Sequence, residues 1–428
     1  MKSSVYIVEG VRTPFCKVGT AFAGVDAVDL GRAAAAAVLA RSGLDPAQID
    51  EVIFGCVGQP IDAANISRVI ALRAGVPARV PAITVHRNCA SGFEAVTQAA
   101  QKIAAGQGDI FLVGGTESMS HYPLVYTDEA ARKFGGLAKA KTSIQKLGCL
   151  LRFRPSDFRP RISLQLGLTD PVCGLNMGQT AELLARDWRI SREEQDQFAL
   201  RSHQRAAAAR NRLTEEIWPV YPRGSREPLV VAADNGVRDN QTLESLAKLR
   251  PIFEKRGGTV TAGNASQITD GAVALLVMSE AALKRTKLLP LGRLVDYAYT
   301  GCEPARMGLG PVYAIARAEQ RSGLSLKDAD FIEINEAFAA QVIACRAAAA
   351  SADFGRLHLS RVGALGEIPL EILNVNGGSI ALGHPVGATG ARLVLTALIE
   401  LRRRQGRRAL VSLCVGGGQG GALWLESA

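Results

Sequence analysis

The sequence of 428 residues has few of the features that mark several large classes of protein. Aromatic residues make up only 5% of it, and no stretch interleaves aromatic with basic side chains, which argues against a surface that binds nucleic acid. The eight cysteines are scattered, with no Cys-x-x-Cys pair and no spacing typical of a zinc site. No metal site and no nucleic-acid partner are therefore expected.

Long apolar runs are also missing. The longest uncharged stretches, near residues 374–391 and 409–425, are rich in glycine, so neither resembles a transmembrane helix. Val5–Val8 is too short to be the apolar core of a secretory signal. We expect a cytoplasmic protein whose cysteines are reduced thiols.

Small and apolar residues are abundant instead. A hydrophobic fraction of 47% and 44 glycines are typical of an α/β protein with many tight turns, and the length allows about three domain-sized units. The formal net charge is +10. Such a charge favours a phosphorylated small molecule as the partner, although solvated surface charge accounts for most of these residues equally well.

The most distinctive stretch is Gly377–Arg392, which reads Gly-Gly-Ser-Ile-Ala-Leu-Gly-His-Pro-Val-Gly-Ala-Thr-Gly-Ala-Arg. It separates a predicted strand, Glu371–Val375, from a predicted helix, Ala391–Arg404. Glycine permits positive φ and close approach of other backbone, so the stretch predicts a tight turn with another segment docked against it. His384 in this turn is a candidate catalytic base; a structural histidine is the alternative.

Cys89 follows a predicted strand, Ala82–Val85, and precedes a predicted helix that contains Phe93 and Ile103 at helical spacing. The free N–H groups and the dipole at a helix N terminus stabilise a thiolate and lower the pKa of the thiol. Cys89 is therefore a candidate nucleophile with His384 as its base. A small buried core residue is the alternative.

The last third of the chain repeats this plan. A predicted strand, Phe331–Ile334, ends at Asn335, a polar residue that needs a partner when it is buried. A second predicted strand, Ala409–Leu413, ends at Cys414, and the glycines after it offer N–H groups for an oxyanion hole. Strand, turn, helix, strand and glycine pair thus occur twice, which predicts two similar α/β halves.

Between the halves the composition changes. The region of residues 120–250 is richer in charge, and a capping box at Ser191 starts a helix that we predict to end near Arg210. An insertion of this length typically covers a ligand. The predicted units are an N-terminal half, 1–119, completed by about 251–285, an inserted loop domain, 120–250, and a C-terminal half, 286–428.

Four blocks of sequence resemble the signature blocks of the thiolases, in the order of that family. They are Asn88-Cys89-Ala90-Ser91-Gly92, Asn335-Glu336-Ala337-Phe338, Gly383-His384-Pro385 and Cys414-Val415-Gly416-Gly417. The resemblance covers essentially the whole chain. It implies a five-layered α-β-α-β-α fold made of two βαβαβαββ halves with an inserted loop domain.

The resemblance also implies roles for the candidate residues. Cys89 attacks the 3-keto carbonyl of a 3-ketoacyl-CoA after activation by His384, and Cys414 protonates the acetyl-CoA enolate that leaves. Asn335 fixes a water that holds the enolate oxygen together with His384. The backbone N–H groups of Cys89 and Gly416 hold the thioester oxygen.

Seven further positions match residues that contact coenzyme A or the acyl chain in the family. Met177 belongs to a Met-Gly block beside the pantetheine tunnel. The others are Arg238, Ser245 and Phe253 at the nucleotide end, Ser266 at pantetheine, and Met307 and Phe338 at the acyl pocket. A solvated loop residue is the alternative for Arg238, and plain core for Met307 and Phe338.

Two departures favour a degradative enzyme over an acetoacetyl-CoA synthase. Asn176 stands where short-chain biosynthetic thiolases usually have histidine. The segment Lys139–Arg161 is long, basic and apolar, similar to the extended loop of thiolases that join fatty-acid-oxidation complexes or contact membranes. An exposed loop without a partner is the alternative.

We therefore predict a 3-ketoacyl-CoA thiolase of fatty-acid β-oxidation, a homodimer or homotetramer that uses coenzyme A as a substrate and needs no cofactor. An acetyl-CoA acetyltransferase that condenses two acetyl units is the first alternative. Cys414 argues against a decarboxylating ketoacyl synthase. The intact Cys89, His384 and Cys414 argue against an inactive scaffold subunit.

Overall fold

The computed structural model describes residues 4–222 and 230–428. Residues 1–3 of the predicted N-terminal half and 223–229 of the predicted insertion lie outside the described residues. The strands are β1 (Val5–Arg12), β2 (Cys16–Lys17), β3 (Glu51–Gly55), β4 (Ala82–Val85), β5 (Ile110–Glu117), β6 (Leu124–Val125), β7 (Arg161–Ile162), β8 (Thr269–Ser279), β9 (Gly292–Gly301), β10 (Phe331–Ile334), β11 (Arg408–Val415) and β12 (Gln419–Ser427). The helices are α1 (Ala27–Ser42), α2 (Ile66–Arg73), α3 (Ser91–Ala104), α4 (Asp128–Lys139), α5 (Ser143–Leu150), α6 (Ser163–Gly167), α7 (Met177–Asp187), α8 (Arg192–Leu213), α9 (Leu243–Ala247), α10 (Glu280–Thr286), α11 (Gly310–Ser322), α12 (Ala339–Ala350), α13 (Ala352–His358), α14 (Ser379–Leu382) and α15 (Val386–Arg404).

The two halves of the chain repeat one strand order. In the first half β3 is parallel to β5, and β5, β8 and β1 follow as antiparallel neighbours. In the second half β10 is parallel to β11, and β11, β12 and β9 follow in the same way. A short antiparallel contact between β1 and β9 joins the two sets. The internal repeat predicted from the sequence is therefore present in the topology.

Alternation along the strands places these sheets between three layers of helices. In β8, Val273, Leu275 and Val277 face a central layer that contains α3 and α15, whereas the residues between them face α1 and α2. In the second half, Leu410 and Trp424 face outward to α11 and α12, and their strand neighbours face the central layer. Because strand side chains alternate between faces, the order of layers is α-β-α-β-α, as predicted.

The glycines around His384 serve the packing of the central layer. A Cβ on Gly92 of α3 would lie 2.4 Å from the backbone nitrogen of Ala391, and a Cβ on Gly390 of α15 would lie 2.5 Å from that of Phe93. No side chain fits between backbones at such distances. The prediction that another segment docks against this stretch is confirmed, and that segment is α3.

The predicted strand Glu371–Val375 is wrong. The chain makes a turn there, with a single parallel bridge from Leu373 to Ile332. Asn374 has a φ of 48°, and its side-chain amide bonds both the N–H and the carbonyl of Ile334, at 2.9 Å each. A side chain thus makes the hydrogen bonds that a strand backbone would have made.

Two predicted boundaries also differ from the structure. The helix predicted over Ala391–Arg404 begins at Val386, because its early glycines serve close packing instead of forming a turn, Gly387 against the end of β5 and Gly390 against α3. The strand that the sequence predicts over Ile110–Val113, ending at Gly114-Gly115, continues as β5 to Glu117. The helix predicted from Ser191 is confirmed as α8, with both hydrogen bonds of the capping box present.

Within the predicted insertion, residues 124–167 contain the short elements from β6 to α6. Their common packing centre is four aromatic rings, those of Tyr126, Phe134, Phe153 and Phe158, with centroids 4.9–5.9 Å apart for neighbouring pairs. In residues 4–222 and 230–428, no helix is both long enough and apolar enough to span a bilayer.

Candidate active site

Cys89 lies in the turn between β4 and α3, where the backbone is tied to the second half of the chain. Asn88 adopts a left-handed φ of 43°, and its side-chain amide donates to the carbonyl of Gly416 at 2.8 Å. The N–H of Gly416 in turn donates to the Cys89 sulfur. Gly416, predicted from the family resemblance, therefore sits directly against the candidate nucleophile.

The pKa of Cys89 differs from the prediction. Burial raises it to about 11, because removing a thiolate from water costs more than the N–H groups of Gly416 and of Cys89 itself return. The negative charge of Glu117 raises it further. The N–H group of Cys89 itself, in the turn before the helix, lowers the pKa as expected, but burial outweighs it, so free Cys89 is a neutral thiol at pH 7.

His384 is buried between α14 and α15 with its tautomer set by a neighbour. Its Nδ1 lies 2.7 Å from the Thr389 hydroxyl, which donates its single proton to the carbonyl of Pro385 at 3.0 Å. Nδ1 must therefore carry the hydrogen, and Nε2 presents a lone pair. Burial, with the charge of Arg392, lowers the pKa of His384 to about 3. The ring is a neutral base.

Asn335 is fully buried at the end of β10 and is held on both sides of its amide. The hydroxyl of Ser379 donates to its Oδ1 at 2.6 Å. Its Nδ2 lies 3.5 Å from His384 Nε2. This polar side chain therefore has the partners that a buried amide needs, and one of them is the reactive nitrogen of His384.

Cys414 lies one residue before the end of β11 and is 1% exposed. It packs in an apolar cluster with Met307 and Phe338. Burial raises its pKa well above the usual range, and the electrostatic influence of Cys89 raises it further. The two thiols are therefore electrostatic neighbours, and Cys414 holds its proton firmly until a strong base forms beside it.

Two cavities meet at these residues. The first, of about 290 Å³, is mainly apolar and reaches Cys89 and Gly416. The second, of about 580 Å³, reaches His384 from the other side. Both are lined by Met119, Leu168, Met177 and Val386. A substrate with two distinct arms could thus place its reacting centre at the junction of the cavities.

The predicted substrate contacts fall into two groups. Met177 lines both cavities, and the larger one is also lined by Arg238, Phe253, Ser266 and Phe338. Ser245 is exposed in the first turn of α9, where its N–H donates to Thr242, and it lines neither cavity. Met307 is buried beside Cys414 and does not line a cavity wall.

Sequence reasoning missed several residues that build the site. Glu117 is fully buried, and its carboxylate accepts from the backbone N–H groups of Val57, Gly58 and Gly387 and from the Tyr122 hydroxyl at 2.8–3.1 Å. It thereby fixes the first turn of α15 beside His384. The available signal was an acidic residue, Glu117, at the end of an otherwise uncharged strand and two residues after its glycine pair.

Within residues 4–222 and 230–428, no three His, Cys, Asp or Glu side chains are placed to hold a metal ion. The reactive groups brought together are two protonated thiols, a neutral imidazole and backbone N–H donors. This set suits nucleophilic attack and proton transfer at a carbonyl compound.

Comparison with known families agrees with this geometry. A family model described as the thiolase N-terminal domain matches residues 5–281, and one described as the thiolase C-terminal domain matches residues 288–427.

The chain belongs to the thiolase family.

Curated relatives of this thiolase include proteins named 3-ketoacyl-CoA thiolase in Yersinia pestis and Yersinia pseudotuberculosis. Each is 43% identical over 425 residues, which span 99% of this chain and 96% of the relative. The family predicted from the four sequence blocks is therefore confirmed.

Solved structures match over the full chain. An acetyl-CoA acetyltransferase of Bacillus anthracis has a TM-score of 0.88 at 36% identity, with 100% of this chain and 99% of that chain covered. Human mitochondrial 3-ketoacyl-CoA thiolase has a TM-score of 0.86 at 39% identity, with 100% and 99% covered. The same human enzyme in complex with CoA has a TM-score of 0.85, with 100% and 98% covered. The thiolase fold predicted for the chain is confirmed.

Proposed function

We propose that this thiolase is an acyltransferase that cleaves 3-ketoacyl-CoA with coenzyme A, giving acetyl-CoA and an acyl-CoA shortened by two carbons, in fatty-acid β-oxidation. The observation that carries the proposal is that the Cys89 thiol and the neutral base His384 line two cavities that share four wall residues, with the protonated thiol of Cys414 buried as an electrostatic neighbour of Cys89. Carbon–carbon cleavage needs a nucleophile at one carbon and a proton donor for the other.

In the first step His384 Nε2 takes the proton of the Cys89 thiol as the sulfur attacks C3 of the substrate. The C2–C3 bond then breaks, the acyl group stays on Cys89 as a thioester, and the electron pair forms an acetyl-CoA enolate. Cys414 gives its proton to C2 of the enolate and becomes a thiolate. Because the pKa of His384 is low, the imidazolium formed in the first half of this step readily returns its proton later.

In the second step coenzyme A takes up the acyl group. Its thiol gives a proton to the Cys414 thiolate and attacks the thioester, and the Cys89 sulfur leaves and recovers the proton from the His384 imidazolium. The Gly416 N–H, which faces the Cys89 sulfur, supports the proposed oxyanion hole for the thioester oxygen. The Asn335 amide beside Nε2 supports the proposed site for the enolate oxygen.

The apolar cavity supports a substrate longer than acetoacetyl-CoA. Beyond Cys89 it is lined by Tyr122, Leu164, Leu168 and Val172, which leaves apolar space that an acetyl group would not fill. Acetyl-CoA acetyltransferase remains the second candidate, since the Bacillus anthracis enzyme of that name has the same fold with a TM-score of 0.88.

Thiolysis by the purified protein, followed as loss of the substrate enolate absorbance across 3-ketoacyl chain lengths, tests the proposal. We expect the highest kcat/KM on medium or long chains. Activity confined to acetoacetyl-CoA would favour the acetyltransferase instead. No thiolysis at any chain length would contradict the proposed reaction.

We further propose that residues 120–250 form an inserted domain that covers coenzyme A, since Met177 and Arg238 of this region line the larger cavity. Limited proteolysis with and without CoA tests this proposal directly. We expect bound CoA to protect residues 120–250 from cleavage. Unchanged cleavage within residues 120–250 at saturating CoA would count against it.

The segment Lys139–Arg161 is proposed to contact a subunit of a fatty-acid-oxidation complex or an anionic membrane. This segment has a concentration of exposed apolar side chains: Ile144, Leu147, Leu150, Leu151 and Phe158. The same segment carries seven basic residues and one acidic one, which suits an anionic surface. Sedimentation with anionic vesicles distinguishes the two partners, since a protein partner predicts no binding to lipid.

We propose a homodimer or homotetramer in a reducing, cytoplasmic compartment. Strand β4 is at the edge of its sheet and has Ile83 40% exposed, and an exposed strand edge favours pairing with a second copy. All eight cysteines are free thiols, which suits a reducing compartment. Light scattering coupled to size-exclusion chromatography checks the assembly, and a monomer at micromolar concentration would contradict it.

A further inference from the structure

The larger cavity carries a second cation that the sequence blocks did not indicate. Lys17, at the end of β2, lines the same cavity as Arg238. Of the described residues that line it, these two carry the lysine and arginine side chains. Lys17 comes from the N-terminal half and Arg238 from the predicted insertion, so only the folded chain brings them to one wall.

Hydrogen bonds hold the two cations on linked loops. The N–H of Lys17 donates to Asn235 Oδ1 at 2.8 Å, and the amide nitrogen of Asn235 donates to the Thr20 hydroxyl at 2.8 Å. The N–H of Arg238, three residues beyond Asn235, donates to His203 Nδ1 at 3.2 Å. Asn235 therefore joins the Lys17 turn to the Arg238 loop, and the backbone geometry of both is built into the fold.

Within the described residues neither cation has a carboxylate partner within 4 Å. Asp234 is occupied by the buried Arg12, and Asp239 by Arg210, whereas neither Lys17 nor Arg238 forms an ion pair with a residue of 4–222 or 230–428. Partial burial, with the charge of Arg238, lowers the pKa of Lys17. Two like charges held together without a counter-ion are unfavourable unless an anion binds between them.

The position of the pair matches one end of the substrate. His384, at the reacting end of this cavity, is 7% exposed, whereas Lys17 is half-buried and Arg238 is exposed. A molecule whose thiol reaches His384 through the cavity therefore extends its distal end toward the cations. In coenzyme A that end is the nucleotide, which bears a diphosphate and a 3′-phosphate.

We propose that Lys17 binds the phosphate groups of coenzyme A jointly with Arg238, and that this pair makes the enzyme prefer CoA over shorter pantetheine thiols. The inference rests on the proposed function, because that function makes CoA the occupant of the cavity. Lysine binds phosphate as a mobile point charge, whereas arginine offers a planar fork. The two therefore contribute separately to binding.

The test compares CoA with pantetheine, which keeps the thiol arm and lacks the nucleotide phosphates. Wild type, Lys17→Ala, Lys17→Arg, Arg238→Ala and the control Lys327→Ala are assayed for thiolysis with both thiols. Lys327 is exposed and lines neither cavity. We expect Lys17→Ala to reduce the ratio of kcat/KM for CoA to that for pantetheine by about tenfold, Lys17→Arg to restore most of it, and Lys327→Ala to leave the ratio unchanged.

The role of Lys17 would be overturned if Lys17→Ala lowered kcat/KM equally for CoA and for pantetheine. It would also be overturned if Lys17→Ala left the ratio unchanged while Arg238→Ala clearly lowered it. Calorimetric titration with CoA needs no turnover and separates this inference from the proposed function. Weaker CoA binding by Lys17→Ala in a protein that performs no thiolysis would support the phosphate site and refute the reaction. Unchanged CoA binding by Lys17→Ala in an active enzyme would refute the site alone.

Discussion

The two halves of this thiolase share a strand order and a central helix but contribute different chemistry. In the first half, a complete strand, β4, leads into Cys89 at the start of α3. In the second half, the corresponding place is a turn with a single bridge at Leu373, and it leads into His384 before α15. The proposed nucleophile thus comes from one copy of the motif, and the proposed base comes from the other.

This difference follows from what each position has to do. Cys89 is half-buried and lines the apolar cavity, where an acyl group can reach its sulfur. His384, Asn335 and Cys414 are all less than 10% exposed, so their proton positions are set by neighbours and not by water. The repeated scaffold therefore separates the accessible candidate nucleophile from the buried candidate proton-transfer groups.

The largest effect should come from removing the nucleophile of the first half. We expect Cys89→Ser to lower kcat by about ten-thousandfold or more, because the catalytic groups act as a unit. Steady-state thiolysis gives the rate, and intact-protein mass spectrometry after incubation with an acyl-CoA should detect no acyl-enzyme. Near-normal turnover would show that the second half supplies the nucleophile.

Removing the proton donor of the second half should separate the two steps. Cys414→Ala should reduce carbon–carbon cleavage by about a hundred- to ten-thousandfold, the range of general acid–base catalysis, while a simple acyl-CoA still acylates Cys89 slowly. Mass spectrometry and a cleavage assay on the same sample measure both. Cys345→Ala, which removes another buried thiol outside the cavities, is the matched control, and cleavage unaffected in Cys414→Ala would refute its role.

The pH dependence of Cys89 alkylation should show whether the Cys89 thiol and the His384 ring are uncharged at neutral pH. The pKa of Cys89 is raised to about 11 and that of His384 is lowered to about 3, so neither is charged near neutrality. Alkylation of Cys89 by iodoacetamide should therefore rise about tenfold per pH unit from pH 7 to 10, as the thiolate fraction grows. Peptide mass spectrometry follows Cys89 alone. A rate independent of pH between 6 and 9 would instead indicate a thiolate–imidazolium pair.

The smallest effects should come from the contact between the two central helices. Gly92→Ala and Gly390→Ala place a Cβ against backbone nitrogen, so each should reduce the free energy of unfolding by about 1–3 kcal/mol. Gly148→Ala is the control, since it lies in α5 with no atom near its Cβ position. It should gain about 0.5–1 kcal/mol from helix propensity. Chemical denaturation measures all three, and equal stabilities for Gly92→Ala and Gly148→Ala would contradict the close approach of α3 and α15.

Much of the fold could be predicted because the information is local. The apolar run that predicted β11, the capping box at Ser191 and the glycine-rich block around His384 each report on a few neighbouring residues. The boundary of α15 was mispredicted because glycines that signal a turn in isolation serve close packing here. The prediction of a strand at Glu371–Val375 failed for a similar reason. The side chain of Asn374 makes hydrogen bonds that a strand backbone would have made.

By itself the sequence determined the family, the two-fold repeat and the identity of Cys89, Asn335, His384 and Cys414 as candidate groups, because residue type and spacing carry that information. Only the tertiary structure decided the raised pKa of Cys89 and the tautomer of His384. Only it placed Lys17 beside Arg238. These properties depend on burial and on partners supplied by distant parts of the chain, and electrostatic energies change with each such neighbour.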